Sequence, residues 1–325
     1  MVELNGKKIL VTFLMHLGDL TLTTPFIHAL RKAAPDAHIT MLVDEKLKDV
    51  VLFNPYLDEV VTIDKKGRDN SILSLWACSR HLSKLDFDVL INLHPNERCS
   101  FIDAMTSVKL RTGTTHKIFK WFWDVFTPLD RSMHAADMYL DVLQQLGVQD
   151  LSNNGLEIFP GEEHFLEAEL FWQEQNITDQ DKLIGFNIGS AVPTKRWPPE
   201  RFAEVADIFA AKGYKTVFFG GPMDEEMVAE ATGYMQTRTI IATGHFAIGG
   251  LAAAMRRCCL IITNDSGPMH VAISQKVPIV AMYGPSNPKL YGPYTKDAVI
   301  VTAQPPCQGC ADGMKHLSLI HISEP

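Results

Sequence analysis

The richest local chemistry lies in Thr263-Asn264-Asp265-Ser266-Gly267-Pro268-Met269-His270. An apolar stretch, Leu260 to Thr263, runs into a helix that begins near Pro268, a favoured first helical residue. Asp265 or Ser266 can cap that helix. The free amides at Ser266 and Gly267, with the helix dipole behind them, make an anion site. His270 falls in the first turn and reaches the same anion. A plain cap does not need this Asp-Ser-Gly-Pro-x-His combination, so phosphate binding is favoured over an ordinary helix start.

Two further stretches suit the same chemistry. Gly189-Ser190 follows a strand, and Lys195-Arg196-Trp197-Pro198 leads into a helix. A strand end, a small-residue loop and a lysine form a phosphate-facing unit, with Lys195 as a compact positive charge. The competing reading is a solvated surface lysine. Leu17-Gly18-Asp19 follows the first strand, where ligands sit in open α/β sheets. Gly18 permits a tight turn and the Asp19 carboxylate can enter a cleft. Otherwise Asp19 caps the next helix, with Thr21, Thr23 and Thr24 as rivals.

Weaker candidates surround these. Tyr283-Gly284-Pro285-Ser286-Asn287-Pro288 is a rigid turn after a strand, able to line a cleft or to be an ordinary loop. Gly220-Gly221-Pro222-Met223-Asp224-Glu225-Glu226 closes a strand and opens a helix. A carboxylate there suits ribose hydroxyls, or is simply favoured by the helix dipole. No G-x-G-x-x-G dinucleotide fingerprint occurs. Asp86-Phe87-Asp88 spells a D-x-D metal motif but precedes a buried strand, at the wrong end for a ligand. Cys307-Gln308-Gly309-Cys310 has the spacing of half a zinc site. Four ligands are needed, and only His316 and His321 follow. No metal and no cofactor are therefore expected. From Met105 to Trp123 the chain carries Lys109, Arg111, Lys117 and Lys120 and no acid, with Phe119, Trp121, Phe122 and Trp123. Basic and aromatic residues together suit an anionic amphiphile or a membrane surface; the alternative is a helix with core aromatics.

Alternating strands and helices must position these residues. Strands are expected at 9–14, 38–43, 59–63 and 89–93, with helices at 22–34, 71–85 and 133–146. A more polar stretch from Gln149 to Asp181, with one helical segment at 163–175, bridges to a second series. That series has strands at 183–188, 216–219, 239–242, 260–263 and 278–282. Its helices fall at 199–212, 224–234, 248–255 and 269–275. Repeated β-α-β-α implies an α/β fold with two Rossmann-like domains, each a parallel sheet covered by helices, facing across a cleft. The domains are expected at 1–160 and 161–316. Residues 317–325 fit nothing before them; they read as a translated sequencing adaptor, a non-native tail replacing the true C-terminus.

Composition narrows the class. The 325 residues are 46% hydrophobic and 21% charged, an ordinary globular mixture of about two domains. Thirty basic and 38 acidic residues leave a net charge of −8, which opposes an overall electrostatic grip on nucleic acid. No apolar run is long enough to span a bilayer, and the run at 9–14 is too short for a signal segment. A cytoplasmic protein is expected. The six scattered cysteines form no disulfide framework, and Cys258-Cys259 is expected to pack as small hydrophobes.

Gly18-Asp19, Lys195-Arg196-Trp197-Pro198, the Asn264–His270 block and Tyr283-Gly284-Pro285-Ser286 together resemble the ADP-heptose:lipopolysaccharide heptosyltransferases, glycosyltransferase family 9. The resemblance runs in order from about Lys8 to Cys310. It implies a GT-B fold and inverting transfer of a heptose from an ADP-heptose donor to the inner core of lipopolysaccharide. It makes Asp19 the general base. Gly18, Ser190, Lys195, Asp265, Ser266, Gly267 and His270 become donor-site residues, with Glu225, or its neighbours Asp224 and Glu226, at the ribose. Lys109, Arg111, Lys117 and Lys120 become acceptor or membrane contacts, at the cytoplasmic face of the inner membrane. The family continues beyond the Cys-x-x-Cys region, and here that sequence is replaced. Two alternatives stand beside this: a GT-B glycosyltransferase using another sugar nucleotide, and a truncated chain that binds donor without turnover.

Overall fold

The computed structural model describes residues 2–302. The chain divides between Gly155 and Leu156 into two units, where the sequence put the boundary at 160/161. The Cys307–Cys310 pair, His316, His321 and the 317–325 tail lie outside the described residues.

The first unit holds six parallel strands. They are β1 (Lys8–Thr12), β2 (His38–Asp44), β3 (Glu59–Ile63), β4 (Val89–Asn92), β5 (Leu110–Gly113) and β6 (Val125–Phe126). Their order across the sheet is β3-β2-β1-β4-β5-β6. Its helices are α1 (Leu17–Thr21), α2 (Thr24–Ala33), α3 (Ile72–Ser83), α4 (Glu97–Met105) and α5 (Ala135–Gln145). The central strands β1, β2 and β4 are buried beyond their first residues because helices cover both faces of a parallel sheet. Leu10, Leu42, Leu90, Phe87, Leu82 and Ile102 pack in one buried cluster between sheet and helices.

The second unit repeats the plan. Its strands are β7 (Leu183–Asn187), β8 (Lys215–Phe219), β9 (Ile240–Ile241), β10 (Cys258–Asn264), β11 (Ile279–Tyr283) and β12 (Ala298–Thr302). They are ordered β12-β11-β10-β7-β8-β9, again all parallel. The helices are α6 (Glu162–Glu174), α7 (Pro199–Ala211), α8 (Glu225–Tyr234), α9 (Ile248–Met255), α10 (Gly267–Ser274) and α11 (Pro288–Tyr291). Phe186 and Phe218 stack at 5.1 Å within a core that includes Phe202, Val228 and Ile262.

Helix ends follow their local signals. The Ser71 hydroxyl accepts from the Ser74 amide, and the Ser74 hydroxyl reaches back to the Ser71 amide, a capping box that starts α3. Gly147 and Gly213, both at positive φ, end α5 and α7 as C-terminal glycines do.

Each sheet counts outward as 3-2-1-4-5-6, the doubly wound order. Strand order reverses between β1 and β4 in the first unit and between β7 and β10 in the second. Ligands bind beyond the carboxyl ends of the strands at such switch points. The described fold thus confirms two Rossmann-like α/β units. It adds elements the sequence did not announce: α1, α4, β5, β6, α11 and β12. The stretch from Met105 to Trp123 is no single helix; it is β5 followed by a 3-10 turn over Lys117–Phe122. Cys258 is buried, with its thiol pKa pushed up by burial, whereas Cys259 is exposed and is no core residue.

Candidate active site

At the switch point of the second unit the sequence motifs converge. Asn187, the last residue of β7, sits opposite Thr263 of β10. The Asn187 amide donates to Thr263 Oγ1 (3.0 Å) and to Ser266 Oγ (2.9 Å). Asn264 bridges the two loops: its amide donates to the Ile188 carbonyl (2.7 Å), and its oxygen accepts from the Trp197 amide (2.9 Å). Arg196 Nε donates to the Ser190 carbonyl (2.8 Å). The Gly189-Ser190 loop, the Lys195–Pro198 turn and the Asp265 loop are therefore one assembly.

Lys195 Nζ lies 2.7 Å from Asp265 Oδ2, with Asp265 buried and Lys195 partly exposed. The pair presents one ammonium at the mouth of the loops and keeps its counter-charge beneath. Ser190 Oγ donates to the Asp265 carbonyl (3.4 Å). Ser266 takes the N-cap position of α10 but makes no side-chain cap bond to it. Its hydroxyl is used by Asn187 and by the Asn264 carbonyl. Neither Asp265 nor Ser266 therefore acts as the side-chain cap that the sequence allowed. Pro268 has no N–H and the Met269 amide donates to the Ser266 carbonyl (3.2 Å), so the amides of Ser266 and Gly267 are the ones left to suit an anion. His270 is buried on α10.

The Tyr283–Pro288 turn joins the same assembly. A side chain at Gly284 would approach the Thr194 carbonyl at 3.2 Å, so the backbones run close together. Tyr283 donates to the Tyr291 carbonyl (3.0 Å). Burial and then the Asp265 charge hold its phenol well above the ordinary range. The acid that faces the Gly189 loop is Asp224. A Cβ at Gly189 would fall 2.3 Å from its carboxyl, and Asp224 Oδ2 accepts from the Gly221 amide (2.9 Å). Glu225 is exposed and its carboxyl turns to Gly244 after β9.

In the first unit, Gly18 and Asp19 lie inside α1, just after β1. Asp19 does not cap α2; Thr23 holds that position. The loop ahead of α1 is pinned by Lys65, whose Nζ donates to the carbonyls of Leu14 (3.0 Å) and Met15 (2.8 Å) and pairs with Asp44 (3.2 Å). Across the switch point, His94 follows β4. Its Nδ1 is buried without a hydrogen-bond partner. Burial, then the charges of Arg131 and His16, pull its pKa down to about 4, so the imidazole is neutral at pH 7. Thr12 of β1 sits opposite Asn92 of β4. Both donate to Asp103 Oδ2, Thr12 at 2.9 Å. Complete burial pushes the Asp103 carboxyl up to about 7, against those two donors.

Sequence reasoning missed Asn187, Asp224's orientation, Lys65, His94, Arg131 and Asp103. Asn187 and His94 sit at the ends of central strands, a position that points to them once strand order is known.

The four basic residues of 105–123 are not brought together. Lys109 pairs with Asp88 (2.7 Å) at the start of β4, the sheet edge opposite Asp19. Arg111 Nε donates to the Asp103 carbonyl (3.0 Å) and its Nη2 to the Thr106 carbonyl, closing the end of α4. Of the four, Lys117 and Lys120 lie on the 3-10 turn, both exposed. Asp88 also accepts from the Lys8 amide (2.9 Å), so the D-x-D carboxylate braces strand starts. No cluster of three metal-ligating side chains occurs among the described residues.

A family model described as glycosyltransferase family 9 (heptosyltransferase) matches residues 75–321. A crystal structure of a glycosyl transferase family 9 protein from Veillonella parvula is 54% identical. It superposes with a TM-score of 0.92 over 99% of this chain and 95% of that one. The ADP-heptose lps heptosyltransferase II of Escherichia coli is 23% identical, with a TM-score of 0.78 over 90% of each chain, a likeness of fold. Lipopolysaccharide heptosyltransferase 3 of E. coli K12 is 24% identical over 297 residues, 87% of this chain and 84% of its own.

Proposed function

This chain belongs to glycosyltransferase family 9, and on that premise we propose that this glycosyltransferase moves a heptose from ADP-heptose to the inner core of lipopolysaccharide, with inversion and without a metal. The observation that carries the proposal is the convergence of Ser190, Lys195, Asp265 and the uncapped start of α10 at Ser266–Gly267 at one switch point. The names of the E. coli relatives support the heptose donor and the lipopolysaccharide acceptor.

In this reading the Lys195 ammonium and the amides at Ser266 and Gly267 hold the diphosphate, with Ser190 and His270 completing the wall. Asp265 keeps Lys195 aimed. Asp224 fits the ribose contact better than Glu225, because it faces the Gly189 loop. The acceptor hydroxyl attacks the anomeric carbon. The bond from that carbon to the diphosphate oxygen breaks, and its electron pair stays with ADP. Preorganised donors stabilise the charge that grows there. Asp19 takes the hydroxyl proton, a contribution of about 10²–10⁴-fold. Gly18 keeps the backbone beside Asp19 slim. The neutral His94, with His16 and Arg131, is part of the acceptor end. The reaction belongs in the cytoplasm, with the acceptor presented at the inner membrane.

Titration calorimetry with ADP, UDP and GDP in EDTA tests this. Tight binding of ADP alone is the expected result. Preference for UDP or GDP would move the chain to another donor class, and loss of ADP binding in EDTA would restore a metal.

A further inference from the structure

We propose that Asp103 is a positioning residue for the transfer: its buried carboxyl fixes the ends of β1 and β4 against each other, and so sets where Asp19 and His94 stand. Asp19 and His94 take their roles from the proposed reaction, on which the inference rests; the link between them is a matter of the first unit's own geometry.

Asp103 lies on α4 and is fully buried. A carboxyl packed between helix and sheet is costly unless it is used for bonding. Here it gathers two donors. Thr12 closes β1 and Asn92 closes β4, side by side in the sheet. Thr12 Oγ1 donates to Asp103 Oδ2 (2.9 Å), and the Asn92 amide donates to the same oxygen. The Asn92 amide oxygen in turn accepts from the His94 backbone N–H (2.8 Å). The carboxyl thus reaches the His94 backbone through a single side chain.

From Thr12 the chain runs through Phe13 and Met15 to α1, which carries Asp19. That path is tied to the His94 side at three further points. The Leu93 amide donates to the Thr12 carbonyl (3.3 Å). The Phe13 and His94 rings meet edge to face at 6.2 Å. The Asn96 amide donates to Met15 Sδ (3.7 Å), while its oxygen accepts from the amides of Arg98 (3.0 Å) and Cys99 (3.2 Å). The cap of α4 therefore grips the loop ahead of Asp19, and Asp103 in the body of the same helix grips the strand that feeds it. The ionisable groups around the carboxyl are the thiols of Cys99 and Cys78 and the Arg111 guanidinium. Asp103 Oδ1 is buried without a partner, so Oδ2 and its two donors are what the carboxyl provides. Losing it would strand both donors in the interior and uncouple the two strand ends.

The test uses the full chain, heptose transfer from ADP-heptose to inner-core lipopolysaccharide, ADP calorimetry, and nitrogen NMR of the His94 ring assigned with His94→Gln. Asp103→Ala should lower kcat by about 10- to 100-fold, the range for a misplaced reacting group. Its KM for ADP-heptose and its ADP stoichiometry should stay at the parent values, which counts the folded chains. Asp103→Asn should bring kcat back to within about threefold, because an amide oxygen can take both bonds. The ring is the readout that mere destabilisation would not move. In the parent His94 titrates near 4, under burial and the charges of Arg131 and His16. In folded Asp103→Ala it should rise toward the ordinary 6.5, and in Asp103→Asn it should stay low. An alanine variant with parental kcat, or with His94 still near 4, would overturn the proposal. So would an asparagine variant as slow as the alanine one. Should the alanine variant fail to fold, Thr12→Val cuts the β1 side alone: kcat should fall by about fivefold or more with ADP binding unchanged, and a parental kcat would overturn the proposal. A parent chain that transfers no heptose would sink the proposed reaction by itself, and the His94 titration would still decide for or against Asp103.

Discussion

The two units have the same strand order but tie their central strands differently. Each places one threonine opposite one asparagine where the order reverses, on exchanged strands: Thr12 on β1 with Asn92 on β4, and Asn187 on β7 with Thr263 on β10. In the second unit the amide and the hydroxyl bond directly, and Ser266 joins them. In the first, both donors turn to a third group, the buried carboxyl of Asp103. The second unit's knot is neutral, with the Asn187 amide oxygen buried and without a partner. A carboxyl at the same place brings a titration into the interior, because burial opposes its charge. The second unit's knot thus holds no titrating group, and the first unit's does.

The sharpest way to separate the two units is to remove a charge from each. Asp19→Asn should lower turnover by about 10²–10⁴-fold while calorimetric ADP affinity stays at the parent value. Equal loss of ADP affinity would merge the two roles and break the comparison. Lys195→Ala should act in the reverse sense, weakening ADP binding by about 10- to 100-fold, the range of a charge-assisted hydrogen bond. An unchanged ADP affinity would remove Lys195 from the donor site.

Smaller effects probe the knots themselves. Asn264→Ala strips partners from the Trp197 amide and the Ile188 carbonyl, a cost of about 2–4 kcal/mol. Hydrogen exchange should quicken at β7 and β10 and stay as before at β1 and β4. The most delicate contrast is Asp103→Asn. In the fold its carboxyl titrates near 7 against an ordinary 3.8, so the fold favours the protonated form. That stabilisation is full below about pH 4 and is lost as pH rises through 7. Denaturant midpoints monitored at β1 and β4 should fall over this window in the parent and stay flat in the variant. A slope that survives the substitution would assign it to another group.

Much of this was legible in the sequence, and the failures have physical causes. Leu183–Asn187 reads as a strand because both sheet faces are covered, leaving a continuous apolar run. β5, Leu-Arg-Thr-Gly, does not, because Arg111 sends its guanidinium to the end of α4. α4 itself was hidden by Asp103, an acid on the face where periodicity demands an apolar residue. The place of the Asp265–His270 block between strand and helix was legible because Leu260–Thr263 is apolar and Pro268 marks a helix start. His94 and Arg131 were not, because 37 positions separate them and only the strand order brings them near. Basic residues were counted but their partners could not be: Lys109 answers Asp88 and Arg111 answers backbone carbonyls. Trp121 and Trp123 are the same residue two positions apart, yet one is displayed and the other is buried beneath its neighbours.

Ser266 uses its hydroxyl on Asn187 and on the Asn264 carbonyl, and so caps neither its own amide nor that of Gly267 at the start of α10. Those amides belong to the main chain, and replacing a side chain at Met269 or Val271 does not delete them. A small anionic inhibitor anchored on them would press on a feature that point mutation cannot readily remove. Escape would have to come from Lys195, from Gly267, or from bending the helix start itself, each a change that also injures whatever the amides are kept open to hold.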